Sequence, residues 1–171
     1  MSLVQKLYHA AADGDIRAVR TLLSGSGGSV ARLVNGIGRT GYTALLAATQ
    51  LGHPDIVRVL LAKGADIDAK GKHGFAALYV ASRRSHRATD MVRLLLEKGA
   101  DIEVKDKSTP LHGASQEGNL DVVRLLLEKG AVAGAKDKAE RTALHGASGE
   151  GHLEVVRLLL EKGVDVGAKD K

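Results

Sequence analysis

The stretch Thr109-Pro110-Leu111-His112-Gly113-Ala114-Ser115-Gln116-Glu117-Gly118, with Asp121-Val122-Val123-Arg124-Leu125-Leu126-Leu127-Glu128-Lys129-Gly130 behind it, decides how this chain folds. Both halves return 33 residues later, as Thr142-Ala143-Leu144-His145-Gly146-Ala147-Ser148 and as Glu154 through Lys162-Gly163. Upstream, the same start recurs at Thr43-Ala44-Leu45 and Ala76-Ala77-Leu78, again in steps of 33. The second half recurs from Asp55 to Gly64 and from Asp90 to Gly99, with a weaker copy from Asp15 to Leu23. A fixed period of this length marks an array of small units, none of which can bury its apolar face alone.

Each unit reads as two helices. The first starts near the Thr and stops at a Gly such as Gly52, Gly118 or Gly151. The second opens beside an acidic residue (Asp55, Asp90, Asp121, Glu154), where a carboxylate suits an N-cap and the helix dipole. It closes on Lys-Gly, where Gly can take a left-handed conformation that Lys complements. Val122, Val123, Leu125, Leu126 and Leu127 make this helix apolar on several sides, so it must lie between neighbours.

The composition agrees. Trp is absent, Phe occurs once and Tyr three times, too few rings to fill one thick centre, so aliphatic layers must do the packing. The 21 Gly against 2 Pro fit frequent turns between short elements. Of the 171 residues, 44% are hydrophobic and 26% charged, a balance that argues against wholesale disorder. With no Cys, disulfides, thiolate metal sites and a Cys nucleophile are excluded together, and a reducing, intracellular (cytoplasmic) setting fits. The longest apolar runs, such as Leu94-Leu95-Leu96, predict no membrane insertion, and Met1 to Lys6 lacks a signal-peptide pattern. A net charge of +5 permits an acidic partner without requiring one.

The chain resembles the ankyrin repeat family: the Thr-Pro-Leu-His signature stands intact at Thr109 to His112 and nearly so at Thr142 to His145, and Gly-Ala-Asp appears at Gly64 to Asp66 and Gly99 to Asp101. The resemblance implies an all-α repeat solenoid of stacked helix-turn-helix units with β-hairpin finger loops. One domain over 1–171 is expected, with units near 1–37 (an N-terminal capping repeat), 38–70, 71–105, 106–136 and 137–169, and no clear C-terminal cap. The departures are specific. Leu23 to Thr43 spans 20 positions where Leu61 to Ala76 spans 15, so the first finger is five residues longer, around Ser24 to Ser29. The third unit carries two extra residues near Arg87 to Thr89, and the fourth finger is two short. The fourth and fifth fingers have Lys107 and Glu140 where the family has Gly, which predicts distorted tips. Gly113 and Gly146 inside first helices cost about 1 kcal/mol each relative to Ala.

Signs of chemistry dissolve on inspection. Gly36-Ile37-Gly38-Arg39-Thr40-Gly41 fits a dinucleotide fingerprint, but no parallel βαβ unit surrounds it, so a finger loop is expected. No two of the seven histidines have zinc spacing. His112 and His145 hold the family position whose ring bonds the Thr and neighbouring backbone, and His53 and His152 sit at the inter-helix turn. Ser115 and Ser148 recur by repeat, which marks small packing residues and no nucleophile. No enzyme, catalytic residue, cofactor or metal is expected.

What remains is binding. The resemblance implies contact through finger tips and first helices: Arg39, Thr40, Tyr42, Gln50 and Leu51; Lys72, His73, Phe75, Arg83 and Arg84; Ser108, Gln116 and Glu117; Lys138, Arg141 and Glu150. Tyr42 and Phe75 either face a partner as anchors or pack on neighbouring fingers. The expected function is a non-catalytic protein-protein interaction module with a protein partner and no small-molecule substrate. One alternative is an engineered or consensus-like scaffold without a natural partner. Another is binding of nucleic acid or anionic lipid through the run Arg83-Arg84-Ser85-His86-Arg87; one short run without a basic stripe disfavours it. A monomer is expected, with end-to-end stacking open to it at the uncapped last repeat.

Overall fold

The computed structural model describes residues 1–25, 29–84, 88–104, 108–165 and 167. Among them are helices α1 (Leu3–Ala12), α2 (Ile16–Ser24), α3 (Val30–Val34), α4 (Ala44–Leu51), α5 (Pro54–Ala62), α6 (Ala77–Ser82), α7 (Ala88–Glu97), α8 (Pro110–Gln116), α9 (Leu120–Glu128), α10 (Ala143–Gly149) and α11 (Leu153–Glu161). The fold is the all-helical repeat fold that the period predicts. It forms two compact units, Met1–Ala77 and Leu78–Lys171.

In each unit, like packs on like. In the first, α1 lies against α4 and α2 against α5, while α1–α2 and α4–α5 form the pairs. In the second, α8 lies on α10, and α9 sits between α7 and α11. That position explains why Val123 and Leu126 are wholly buried on a helix apolar on several sides.

The helix ends follow from local chemistry. Ser2 and Asp15 cap α1 and α2 by accepting from Gln5 N and Ala18 N, and the Thr43 hydroxyl accepts from Leu46 N at the start of α4. At the Lys-Gly ends, Gly64, Gly99, Gly130 and Gly163 all have positive φ, and the next amide reaches back five residues, as Ala65 N does to Leu60 O at 3.0 Å. The carboxylates of the second helices behave differently from expectation. Asp55, Asp90, Asp121 and Glu154 lie within the first turn, where the dipole favours them, but the cap positions of α5, α9 and α11 belong to His53, Asn119 and His152.

Those three residues tie one repeat to the one before it. His53 Nε2 bonds Ala12 O at 3.0 Å, Asn119 Nδ2 donates to Ser82 O and Arg84 O at 2.8 and 2.9 Å, and His152 Nε2 bonds Gln116 O at 3.0 Å. A second tie runs behind the second helices, where Asn35 Oδ1 accepts from Asp66 N and Glu103 Oε1 from Val132 N.

The expected β-hairpin fingers need correction: no strand is present among the described residues. Three of the fingers are fully described, and each is a four-residue turn (Gly41 N to Gly38 O, Gly74 N to Gly71 O, Glu140 N to Asp137 O) held at its base by Gly38 N to Tyr42 O, Gly71 N to Phe75 O or Asp137 N to Arg141 O. Among the described residues one backbone link, Lys72 N to Gly41 O, joins neighbouring fingers, and a single bond does not propagate a ladder. The dinucleotide-like glycines are the first of these turns, as expected. Glu140 also departs from expectation. It takes φ 61 and keeps the turn that Gly41 and Gly74 make elsewhere, so that tip is strained without being distorted. Lys107 lies outside the described residues. The lengthened first finger holds α3, which the sequence reading lacked, with Leu33 and Val34 buried.

Candidate functional site

In the second unit, the stacked first helices α8 and α10 leave a groove of about 210 Å³ lined by Ser108, His112, Gln116, Asp137, Arg141, His145, Glu150 and the bare backbones of Gly146 and Gly149. Its upper wall is built by the Thr-x-Leu-His starts. The His112 Nδ1 lies 2.8 Å from the Thr109 hydroxyl, and its Nε2 bonds Arg141 O at 2.9 Å. A carbonyl can only accept, so Nε2 carries the proton and Nδ1 accepts from Thr109. Burial holds the His112 ring below the usual histidine range, although the Arg141 carbonyl and Asp137 pull the other way, and the ring is neutral at pH 7. His145 repeats the inner half of this arrangement with the Thr142 hydroxyl at 3.0 Å.

Asp137 is the groove's rigid element. Its carboxylate is buried and accepts from Ala139 N at 2.8 Å, from Arg141 N at 3.0 Å, and from Arg141 Nε and Nη2 at 3.1 and 2.9 Å. Burial pushes its pKa up, but these N–H groups and the guanidinium outweigh burial and hold it below the ordinary range. The result is an ionised aspartate that fixes a half-exposed arginine at the groove's edge.

Beside this groove lies a second constellation of the same unit. Arg83 Nε donates to Glu117 Oε1 at 2.8 Å, and its Nη2 joins the same oxygen. The Glu117 pairing, against the opposing effect of burial, keeps the guanidinium firmly protonated. Burial raises the Tyr79 hydroxyl's pKa despite the neighbouring Arg83. Gly113 makes room for both: a Cβ there would stand 2.9 Å from Arg83 Cγ and 3.1 Å from Tyr79 Cε2.

In the first unit, Tyr42 packs on the following finger. A Cβ on Gly71 would meet its ring at 2.7 Å, the His73 ring centroid is 6.0 Å away, and Lys72 Nζ is 5.7 Å from its centroid. Of the two readings of that ring, this one packs it within the protein while leaving it half-buried.

All sixteen expected contact residues are exposed or half-buried. Four of them (Ser108, Gln116, Arg141 and Glu150) share the α8–α10 groove, with Lys138 on the adjoining turn. Arg83 and Glu117 pair with each other. Tyr42, Lys72 and His73 cluster in the first unit. Arg39, whose amide donates to Gln5 Oε1, and Thr40 stand at the first finger's turn, Gln50 and Leu51 at the end of α4, and Phe75 is half-buried beyond the next turn. Of the basic run, Arg83 is committed to Glu117, Arg84 is half-buried, and Ser85, His86 and Arg87 lie outside the described residues. The sequence reading missed Asp137 and Tyr79. Asp137 carries a signal: it stands where the earlier fingers have Gly38 and Gly71, with an arginine four residues on.

With this geometry in place, the comparisons with known proteins are direct. The family model for ankyrin repeats in three copies matches residues 7–106 and 104–170, and the chain belongs to the ankyrin repeat family. Ankyrin repeats generally serve as protein-interaction modules and are typically non-enzymatic. Among curated proteins, the chain is 38% identical over 79 residues to the NAD-capped RNA hydrolase NUDT12 of Homo sapiens, Macaca fascicularis and Pongo abelii. That match covers 46% of this chain and 16% of each relative, so the chain spans a small fraction of their length. No helix among the described residues is long and apolar enough to cross a membrane.

Proposed function

We propose that this protein recognises a protein partner through its finger turns and first helices, with the α8–α10 groove as the principal contact and no chemistry of its own. The observation that carries the reading is the locked edge of that groove. Asp137 uses two backbone amides and the Arg141 guanidinium to hold the finger in one conformation before any partner arrives. Such pre-organisation reduces the ordering cost of association. Arginine presented at a groove is also a frequent interface anchor. Gly146 and Gly149 leave the floor free of side chains, so a partner segment can approach the helix backbone closely. The nucleic-acid or anionic-lipid alternative loses support from the Arg83–Glu117 pair, which neutralises one of the charges it requires.

The test is affinity capture by the intact chain, compared with a Gln116→Ala/Glu150→Ala variant whose thermal melt matches the native one. Both side chains are exposed, so folding is expected to survive. A protein retained by the native chain and lost by the variant supports the reading. Undiminished capture by the variant, or capture of nucleic acid that collapses with added salt, contradicts it.

A further inference from the structure

The cations at the fingers of the first unit stand without the carboxylates that pair their counterparts in the second. Fingers 36–42 and 69–75 and helices α1 and α4 contain Lys6, Arg39, Lys70 and Lys72 and no Asp or Glu. The unit's five carboxylates, Asp13, Asp15, Asp55, Asp66 and Asp68, lie between α1 and α2, on α5 or in the turn after it. Among the described residues Lys6, Arg39 and Lys72 are exposed and none has an ion-pair partner. In the second unit, Arg83 pairs with Glu117, Lys136 with Glu140 and Arg141 with Asp137.

The three cations form a row because hydrogen bonds tie their segments together. The Arg39 amide donates to Gln5 Oε1 at 3.0 Å, which sets the first finger beside Lys6. The Lys72 amide donates to Gly41 O at 2.8 Å, which sets the second finger beside the first. The Lys72 ammonium lies 5.7 Å from the Tyr42 ring centroid, where the ring steadies the charge without neutralising it. Ile37, 62% exposed, stands just before Arg39 on the first finger, and Leu51, 53% exposed, ends α4. From this arrangement we infer that the row receives an acidic segment of the protein partner, one in which Asp or Glu side chains are interleaved with apolar ones. The inference rests on the reading that finger turns and first helices recognise a protein, and it adds the chemistry of what the first unit holds. Charge complementarity selects that occupant: potentials match across an interface, so a positive row without internal carboxylates calls for a partner's. Nucleic acid and anionic lipid surfaces draw on longer basic runs, and a phosphate chain buries neither Ile37 nor Leu51.

Fluorescence anisotropy at low salt, with a labelled peptide of Glu-Glu-Leu repeats as the probe, tests this. The intact chain should bind that peptide about tenfold more tightly than its Gln-Gln-Leu counterpart. Combining Arg39→Gln with Lys72→Gln should weaken binding by about tenfold while the melt is unchanged. The reversed variant Arg39→Glu/Lys72→Glu should prefer a peptide of Lys-Lys-Leu repeats, a gain that loss of folding cannot produce. No binding of the Glu peptide, equal affinity for the Glu and Gln peptides, or undiminished binding by Arg39→Gln/Lys72→Gln would overturn the inference. So would tighter binding of an oligothymidylate or of phosphatidylserine vesicles. The Gln116→Ala/Glu150→Ala comparison leaves this row intact. Partner capture that depends on the α8–α10 groove, together with no preference for the Glu peptide, therefore contradicts the acidic segment and spares protein recognition.

Discussion

Helices α8 and α10 share the sequence Leu-His-Gly-Ala-Ser, yet the protein treats the two copies differently. In α8, Gly113 lies against Tyr79 and Arg83, Ser115 is wholly buried with no hydrogen-bond partner among the described residues for its hydroxyl, and His112 bonds at both ring nitrogens. In α10, the nearest atom to a Cβ on Gly146 is Gln116 Cβ at 3.4 Å, Ser148 is exposed, and His145 is bonded through Nδ1 to its own Thr142. The repeat period specifies the backbone of each copy. The energy of each side chain is set by what the neighbouring copies place against it.

The comparison breaks most visibly at the histidines. His112→Ala is expected to destabilise by about 2–3 kcal/mol, since it removes the Thr109 contact, the bond that joins the two repeats at Arg141 O (which keeps only its Asp137 N–H donor) and a buried ring, whereas His145→Ala should cost about 1 kcal/mol. Urea denaturation of both variants measures the gap, and equal losses would mean the junction bond contributes nothing.

A smaller effect, of the opposite sign, is expected at the serines. Burying an unpaired hydroxyl costs about 1 kcal/mol, so Ser115→Ala should stabilise by roughly that amount, while exposed Ser148→Ala should stay within about 0.5 kcal/mol of the native chain. A destabilised Ser115→Ala would show that the hydroxyl finds a partner in solution.

Acid gives a further contrast. The His112 pKa is lowered from 6.5 in the folded state, so the unfolded chain takes up this proton first. Its contribution to stability is complete above pH 6.5 and declines as pH falls from there through the folded value. The Asp137 contribution, by the same linkage, is retained above 3.8 and lost only in stronger acid. Thermal melts between pH 7.5 and 5 should therefore fall less steeply for His112→Gln than for the native chain, and identical slopes would contradict this assignment.

Much of the fold was legible because a period of 33, Thr-x-Leu-His starts and Lys-Gly ends each have a local mechanism. Helix α3 was hidden because five residues behind a Ser/Gly run carry too little periodicity, although Val30, Leu33 and Val34 stand at i, i+3 and i+4. The second-helix carboxylates were read as caps because residue type alone does not separate a cap from the first turn; His53, Asn119 and His152 took those positions because their side chains reach the preceding repeat. In the candidate site, the exposure of the sixteen residues followed from repeat grammar, but the grouping of four around one groove did not. The Tyr79–Gly113 contact joins residues 34 apart, one past the period, so the stacking was legible, but the ring stands where the other copies have Leu46, His112 and His145, and the period does not say what it packs on; Asp137 was visible only as a departure from the glycines of earlier fingers.

The most direct test of the claim that neighbours set the energy of each copy is the pair Gly113→Ala and Gly146→Ala, measured side by side in urea. Helix propensity favours both changes by about 1 kcal/mol. At Gly113 the new methyl meets Arg83 and Tyr79, and overpacking of about 1–3 kcal/mol opposes that gain. The account predicts Gly146→Ala more stable than the native chain by about 0.5–1 kcal/mol and Gly113→Ala less stable by about 1 kcal/mol. Equal shifts of the same sign would contradict it.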